Sequence, residues 1–423
     1  MRPLRSRRAS ADLSARPLGR DFWKIWAAAV ANRFGDQVRV ASFALLTADA
    51  TDDAVWLGVV IGCNYLPWLL FGLLSGAAVD RLDKRRAFVA ADLGRAVLCG
   101  LLVVSVFAGT VDVAVLAAFA FVLTGLQTVS DAAFTAMLPR VVARDRLAEA
   151  HSRLSAAQGV AGQFLGPPVA VALFVVAHAL PFAANACTLV FAAMLVLRVR
   201  VPRDSGGALR DLRARTLFGD VAAGLRWVRD NRAVAAYGYA VGVMNFASAG
   251  VQATLVLYTV RELGLPAGVY GLALAAWGGG AIAGNLVAPL ALRRVGPATL
   301  AKLAQTCQVV GYGLLVVADG APEMFLALAL NGFGAGNWNV TSTAVIQAAS
   351  PVDLLGRVGS VMRMVSFGTA PLGALAGGVL ADVVSLRAPA AVGVVASVAA
   401  IWVLASLTEK PGARPGERSG VRT

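Results

Sequence analysis

The stretch 22–48 is long and largely apolar, yet it carries Asn32, Asp36 and Arg39 at a spacing that puts all three on one face of a helix turning 100° per residue. A carboxylate at membrane depth is costly when ionised, so whether it holds a proton depends on its access to water, and a proton coupler needs that property. Arg39, one turn from Asp36, offers a second account: a fixed ion pair that carries no proton. Both accounts stay open on these residues. Asp131, four residues beyond Gln127 in the apolar stretch 113–138, is a further proton-coupling candidate alongside Asp36 and Arg39.

Other polar side chains recur at similar depth: Asp92 and Arg95, Ser130, Gln158 and Gln163, Asn245 and Gln252, and Asn337 beside Trp338. With Asn32 and Gln127, the amides and Trp338 form a candidate cavity lining. Amides and an aromatic ring with few fixed charges suit an amphipathic organic molecule better than a small ion, although polar contacts between helices need the same residues. Gly159, Gly162, Gly166 and Pro167 punctuate one segment, where small residues four apart permit close helix approach and Pro bends the axis.

These residues are carried by a chain that is 58% hydrophobic and 15% charged, with mean hydropathy +0.70. Soluble domains run to about 25% charged. An all-α polytopic membrane protein follows. Uncharged stretches give spans at 22–48, 54–79, 87–108 and 113–138, then a hairpin pair within 154–197 that turns at His178 to Pro181. Further spans lie at about 233–260, 266–292, 297–318, 323–348, 358–384 and 388–408, which makes twelve. The formal charge of +14 is distributed by topology: bases concentrate on the side holding both termini, and acids such as Asp49, Asp52, Asp53, Asp112, Glu262, Asp319 and Glu323 on the other. Both termini are therefore expected in the cytoplasm, and no nucleic-acid partner is implied. The expected organisation is a basic tail 1–21, a six-helix bundle 22–200, a basic linker 201–232 with an amphipathic piece around 218–228, a second bundle 233–408, and a tail 409–423. At an offset of 212 residues Gly72, Arg81, Pro139 and Gly166 meet Gly284, Arg293, Pro351 and Gly378, as two parallel repeats would.

Between the second and third spans stands Gly76-x-x-x-Asp80-Arg81-x-Asp83-Lys84-Arg85-Arg86, read as a tight basic turn over 80–86. It resembles the corresponding loop of the major facilitator superfamily, usually Gly-x-x-x-Asp-Arg-x-Gly-Arg-Arg. The departure is Asp83, where Gly would allow a left-handed turn. The resemblance covers about 22–407 and implies twelve helices in two parallel six-helix repeats, with Asp80 contacting Arg363 at the start of the eleventh span as a cytoplasmic gate. Gly162-x-x-x-Gly166-Pro167 is similar to the antiporter signature of exporters in this superfamily. The loops around Pro139 and Pro351, with Gly35-Asp36, resemble the bacterial exporters that include the enterobactin exporter.

What the resemblance implies is proton-driven export of a siderophore, drug or metabolite by alternating access, in a plasma or inner membrane, by a monomer surrounded by lipid. Uptake by symport would use the same fold. An enzyme is not expected, because HExxH and GxSxG sets are absent, and the chain has no phosphate-binding GxxxxGK[ST] loop. Cys63, Cys99, Cys187 and Cys307 lie in apolar stretches without paired spacing, and His151 and His178 are isolated, so neither a metal site nor a cofactor is expected beyond the proton gradient as energy source.

Overall fold

The computed structural model describes residues 18–200, 214–351 and 354–408; both tails and the Gly206-Gly207 part of the linker lie outside the described residues. Among those described, every regular element is helical: α1 Arg20–Ala50, α2 Ala54–Arg81, α3 Lys84–Phe107, α4 Val113–Val141, α5 Leu147–Val176, α6 Leu180–Leu197, α7 Ala214–Asp230, α8 Arg232–Glu262, α9 Ala267–Val295, α10 Pro297–Val317, α11 Ala321–Ala349, α12 Leu355–Val383 and α13 Ala388–Thr408. Ten of these helices are long and apolar enough to cross a membrane. α1 and α11, at 31 and 29 residues, have the length but are more polar. Together they are consistent with twelve spans, α7 being the linker helix.

Helix ends follow local chemistry. Asp112 caps α4 by accepting from the Val115 amide at 2.8 Å, and Asn231 caps α8 by accepting from Val234 at 3.1 Å. α9 stops at Gly296, whose φ of +75° suits a residue without Cβ, and Pro297 then starts α10.

The expected turn at 80–86 is shorter in the structure. α2 continues through Arg81 and α3 begins at Lys84, so only Leu82 and Asp83 are non-helical. Asp83 takes an extended backbone (φ −64°, ψ 111°), and its carboxylate accepts from the Arg86 amide at 3.1 Å. The departure from Gly is therefore a helix cap, and no left-handed residue is used.

The chain clusters into two compact units, one holding the described residues up to Leu46 and Leu70–Asp211, the other Thr47–Leu69 and those from Leu212 onward. The first unit is packed on Phe22, Ile25, Phe88, Met137 and Leu138, all nearly inaccessible. In the second, glycines let backbones touch: a Cβ at Gly250 of α8 would lie 2.9 Å from the Gly373 carbonyl of α12, and one at Gly58 of α2 would lie 2.6 Å from that of Ala374. Acids of the expected outer face pair within this unit, Arg387 with Glu262 at 2.7 Å and with Asp319 at 3.2 Å, and Arg261 with Asp52.

Candidate functional site

The first unit buries four charged side chains in one network. Asp36 and Arg39 come from α1, Asp92 and Arg95 from α3, and each side chain is at most 5% exposed. Arg95 reaches across from α3 and forms an ion pair with Asp36, while its other nitrogen lies 3.3 Å from Asp92. The expected partner within α1, Arg39, forms a looser ion pair with Asp36 at 4.0 Å through Nε and donates through another nitrogen to Gln127 Oε1 of α4 at 3.1 Å. Its guanidinium also lies over the Phe43 ring at 5.7 Å. Asp92 accepts from Asn32 Nδ2 at 2.6 Å and from Ser130 Oγ at 2.8 Å.

Two carboxylates and two guanidiniums thus cancel formally inside an apolar bundle. Cancellation is the condition for burying them, because a lone ion there would cost several kcal/mol. Hydrogen bonds from Asn32 and Ser130 give each oxygen of Asp92 a further donor beside Arg95. The network runs from α1 through α3 to α4, so its integrity depends on the mutual position of three helices.

Packing around α1 is tight. A Cβ at Gly162 would lie 2.9 Å from Arg33 Cγ, and one at Gly166 would lie 2.8 Å from Gln37 Cβ, so the glycine-rich part of α5 rides on the α1 turn that holds Asp36. α5 is locally a π-helix over Gly159–Leu165, a wider turn that often marks functional positions. Gln158 donates to the Ala29 carbonyl at 3.4 Å, and Gln163 is half-buried in the π turn. Gly35 faces Asn185 and Thr188 of α6, where Cys99 Sγ donates to Asn185 Oδ1 at 3.3 Å.

The remaining candidates are dispersed. Asp131 of α4 is exposed but borders the buried network, within electrostatic reach of Asp36, Asp92 and Arg95. In the second unit Asn245 donates to the Val241 carbonyl of its own helix at 3.0 Å, and Gln252 donates to Ser248 Oγ at 2.9 Å and accepts from Tyr65. Asn337 bonds the Phe333 carbonyl, and Trp338 stacks on Tyr237 at 5.3 Å, so both are interior side chains. Gly76 is half-buried at the end of α2, and Arg85 donates to the Leu197 and Val199 carbonyls near the end of α6. Arg363 is exposed and donates to Ser360. The side chains of Asp80 and Arg81 lie outside those described.

In the sequence Asp92 and Arg95 stand out only as polar positions at span depth. The signal that would have joined them to Asp36 is an acid and a base at i, i+3 inside a 24-residue apolar helix, a combination whose burial requires partners on neighbouring helices.

The family profile described as transmembrane secretion effector matches residues 14–412. Among curated relatives, an uncharacterised MFS-type transporter of Mycobacterium tuberculosis is 29% identical over 326 residues, 70% of this chain and 71% of its own. The multidrug efflux pump Tap of Mycobacterium tuberculosis is 27% identical over 365 residues, 84% of this chain and 85% of its own. Solved structures with the same fold include a bacterial homologue of the iron transporter ferroportin (TM-score 0.70, 17% identity, 93% of this chain and 100% of that one) and the nucleoside transporter NupG (TM-score 0.69, 13% identity, 92% and 99%).

Proposed function

The chain belongs to the transmembrane secretion effector family of the major facilitator superfamily, and within it we propose a proton-coupled exporter of small organic molecules that works by alternating access. It is a multi-pass membrane transporter and not an enzyme. The observation that carries the proposal is the buried network of Asp36, Arg39, Asp92 and Arg95, balanced in charge and spread over three helices.

In this reading Asp36 takes up the proton. Protonation cancels its charge, leaves Arg95 with Asp92 as its only acid partner in the network, and removes the ionic tie between α1 and α3. The network then carries one net positive charge, so the proton cannot stay without either a change in helix packing or its release. Gly162 and Gly166 would transmit that change to α5, since they pack on the same turns of α1. No cofactor is required, because the proton gradient supplies the energy. The export direction is supported by the efflux pump among the relatives. The substrate class, an amphipathic drug, siderophore or metabolite, is supported by the amide and aromatic character of the polar residues at span depth. A plasma-membrane location with both termini inside completes the reading.

The test is uptake of candidate compounds into inverted membrane vesicles under an imposed pH gradient. Accumulation that collapses with the gradient is expected. Accumulation in right-side-out vesicles or whole cells instead would establish uptake by symport.

A further inference from the structure

The second unit contains an apolar cleft of about 610 Å³ between the linker helix α7 and the spans α8 and α12, remote in sequence from the charged network. Its walls include Leu225, Tyr239, Val243, Phe246, Met362 and Val365. Gly238 and Gly242 form part of its floor, where a Cβ would touch Met362 Cε at 3.1 Å and Val365 Cγ1 at 3.0 Å. Arg226 and Arg229, both exposed, line the end formed by α7.

The position of this cleft in the membrane follows from the chain. α8 begins at Arg232, two residues after α7 ends at Asp230, so the last turns of α7 must lie where α8 enters the hydrocarbon. Trp227 and Val228 hold α7 there by packing on Val234, Val358 and Val361, and a Cβ at Gly224 would lie 2.9 Å from the Arg357 carbonyl, so glycine permits this close approach to the start of α12. From Ala235 to Phe246 the cleft then follows α8 for eleven residues. At 1.5 Å per residue that is about 16 Å, close to the thickness of one leaflet's hydrocarbon.

We propose that this cleft is a binding site for an anionic phospholipid, with one acyl chain lying along Tyr239, Val243 and Phe246 and the phosphate held by Arg226 and Arg229. The two cations sit at i, i+3 on the last turns of an amphipathic helix, where a headgroup meets the protein. Asp230, also exposed, does not line the cleft. The site would tie the linker helix to the composition of the leaflet it rests on, independently of the proton-coupling reading.

The test uses the full chain in detergent, stripped of lipid and titrated with phosphatidylglycerol or with phosphatidylcholine of the same acyl chains, with bound lipid counted by native mass spectrometry. Phosphatidylglycerol should bind more tightly, and Arg226→Gln with Arg229→Gln should weaken it roughly twenty-five-fold, about five-fold for each cation. Equal binding of the two lipids, or an unchanged affinity in the double variant, overturns the proposal. In a second arm, a photoreactive benzoyl-phenylalanine in place of Tyr239 should form an adduct with phosphatidylglycerol. An adduct with the chain's own residues 201–213, or none at saturating lipid, means that the cleft does not hold lipid.

Discussion

Replacing Asp36 by Asn preserves shape and removes both a negative charge and a site for a proton. In the buried network the change leaves Asp92 alone against Arg39 and Arg95, all within side chains at most 5% exposed. Removing one partner of a buried pair costs about 3–5 kcal/mol, because the remaining charge is uncompensated. Asp92 still lies 3.3 Å from Arg95, so the loss should fall near the lower end, about 3 kcal/mol. Adding Arg95→Gln restores neutrality, with Asp92 still held by Asn32 and Ser130 and Arg39 still bonded to Gln127. The double variant should therefore recover at least about 1 kcal/mol of the lost stability. Neither variant should pump, since the amide binds no proton, whereas Asp36→Glu should keep part of the activity. Stability is read from thermal unfolding of purified protein and pumping from pH-driven accumulation in inverted vesicles. A double variant no more stable than the single one would refute the charge-balance argument. Transport by the Asn variant with unchanged pH dependence would remove Asp36 from the proton path.

Asp131→Asn should retain pH-driven transport in the same vesicles, because its exposed side chain feels the charges of Asp36, Asp92 and Arg95 from beside their ion pairs; loss of coupling there would move the proton site to α4. Asp83→Ala removes the cap of α3 and should cost about 1 kcal/mol, visible as a lower unfolding midpoint. Gly166→Val places side-chain atoms against Gln37 and should cost about 1–3 kcal/mol, with transport falling in step if α5 must stay seated on α1.

The fold could be read from the sequence because hydrocarbon imposes length and charge rules on every span, and the uncharged stretches obey them. α1 and α11 show the limit of that signal: their polar residues lower the apolar character that a span is recognised by, and in α1 those residues include Asn32, Asp36 and Arg39 of the network. The partner of Asp36 could not be read in the same way. Sequence displays neighbours one turn away and so shows Arg39, which pairs with Asp36 at 4.0 Å, but it does not show the closer ion pair to Arg95, 59 residues distant on another helix. Asp83 illustrates the reverse case. It looked like the loss of a left-handed glycine, yet the two-residue break between α2 and α3 leaves a helix start needing an acceptor, which Asp supplies and Gly cannot.

The difference between the two partners of Asp36, Arg39 on its own helix and the closer Arg95 on α3, bears directly on mechanism. An ion pair within α1 would move with α1 as one body, so its protonation could change the cost of burial but could not report where a neighbouring helix stands. A pair between α1 and α3 is sensitive to both: separating the helices leaves two buried charges uncompensated, and protonating Asp36 removes the penalty for separating them from its side. Linkage then runs in both directions, since whatever favours separation also favours proton uptake by the same free energy. A coupling of about 3 kcal/mol, the cost expected for losing Asp36's charge, would change the ratio of two conformers by roughly a hundredfold, enough for a proton to select between them.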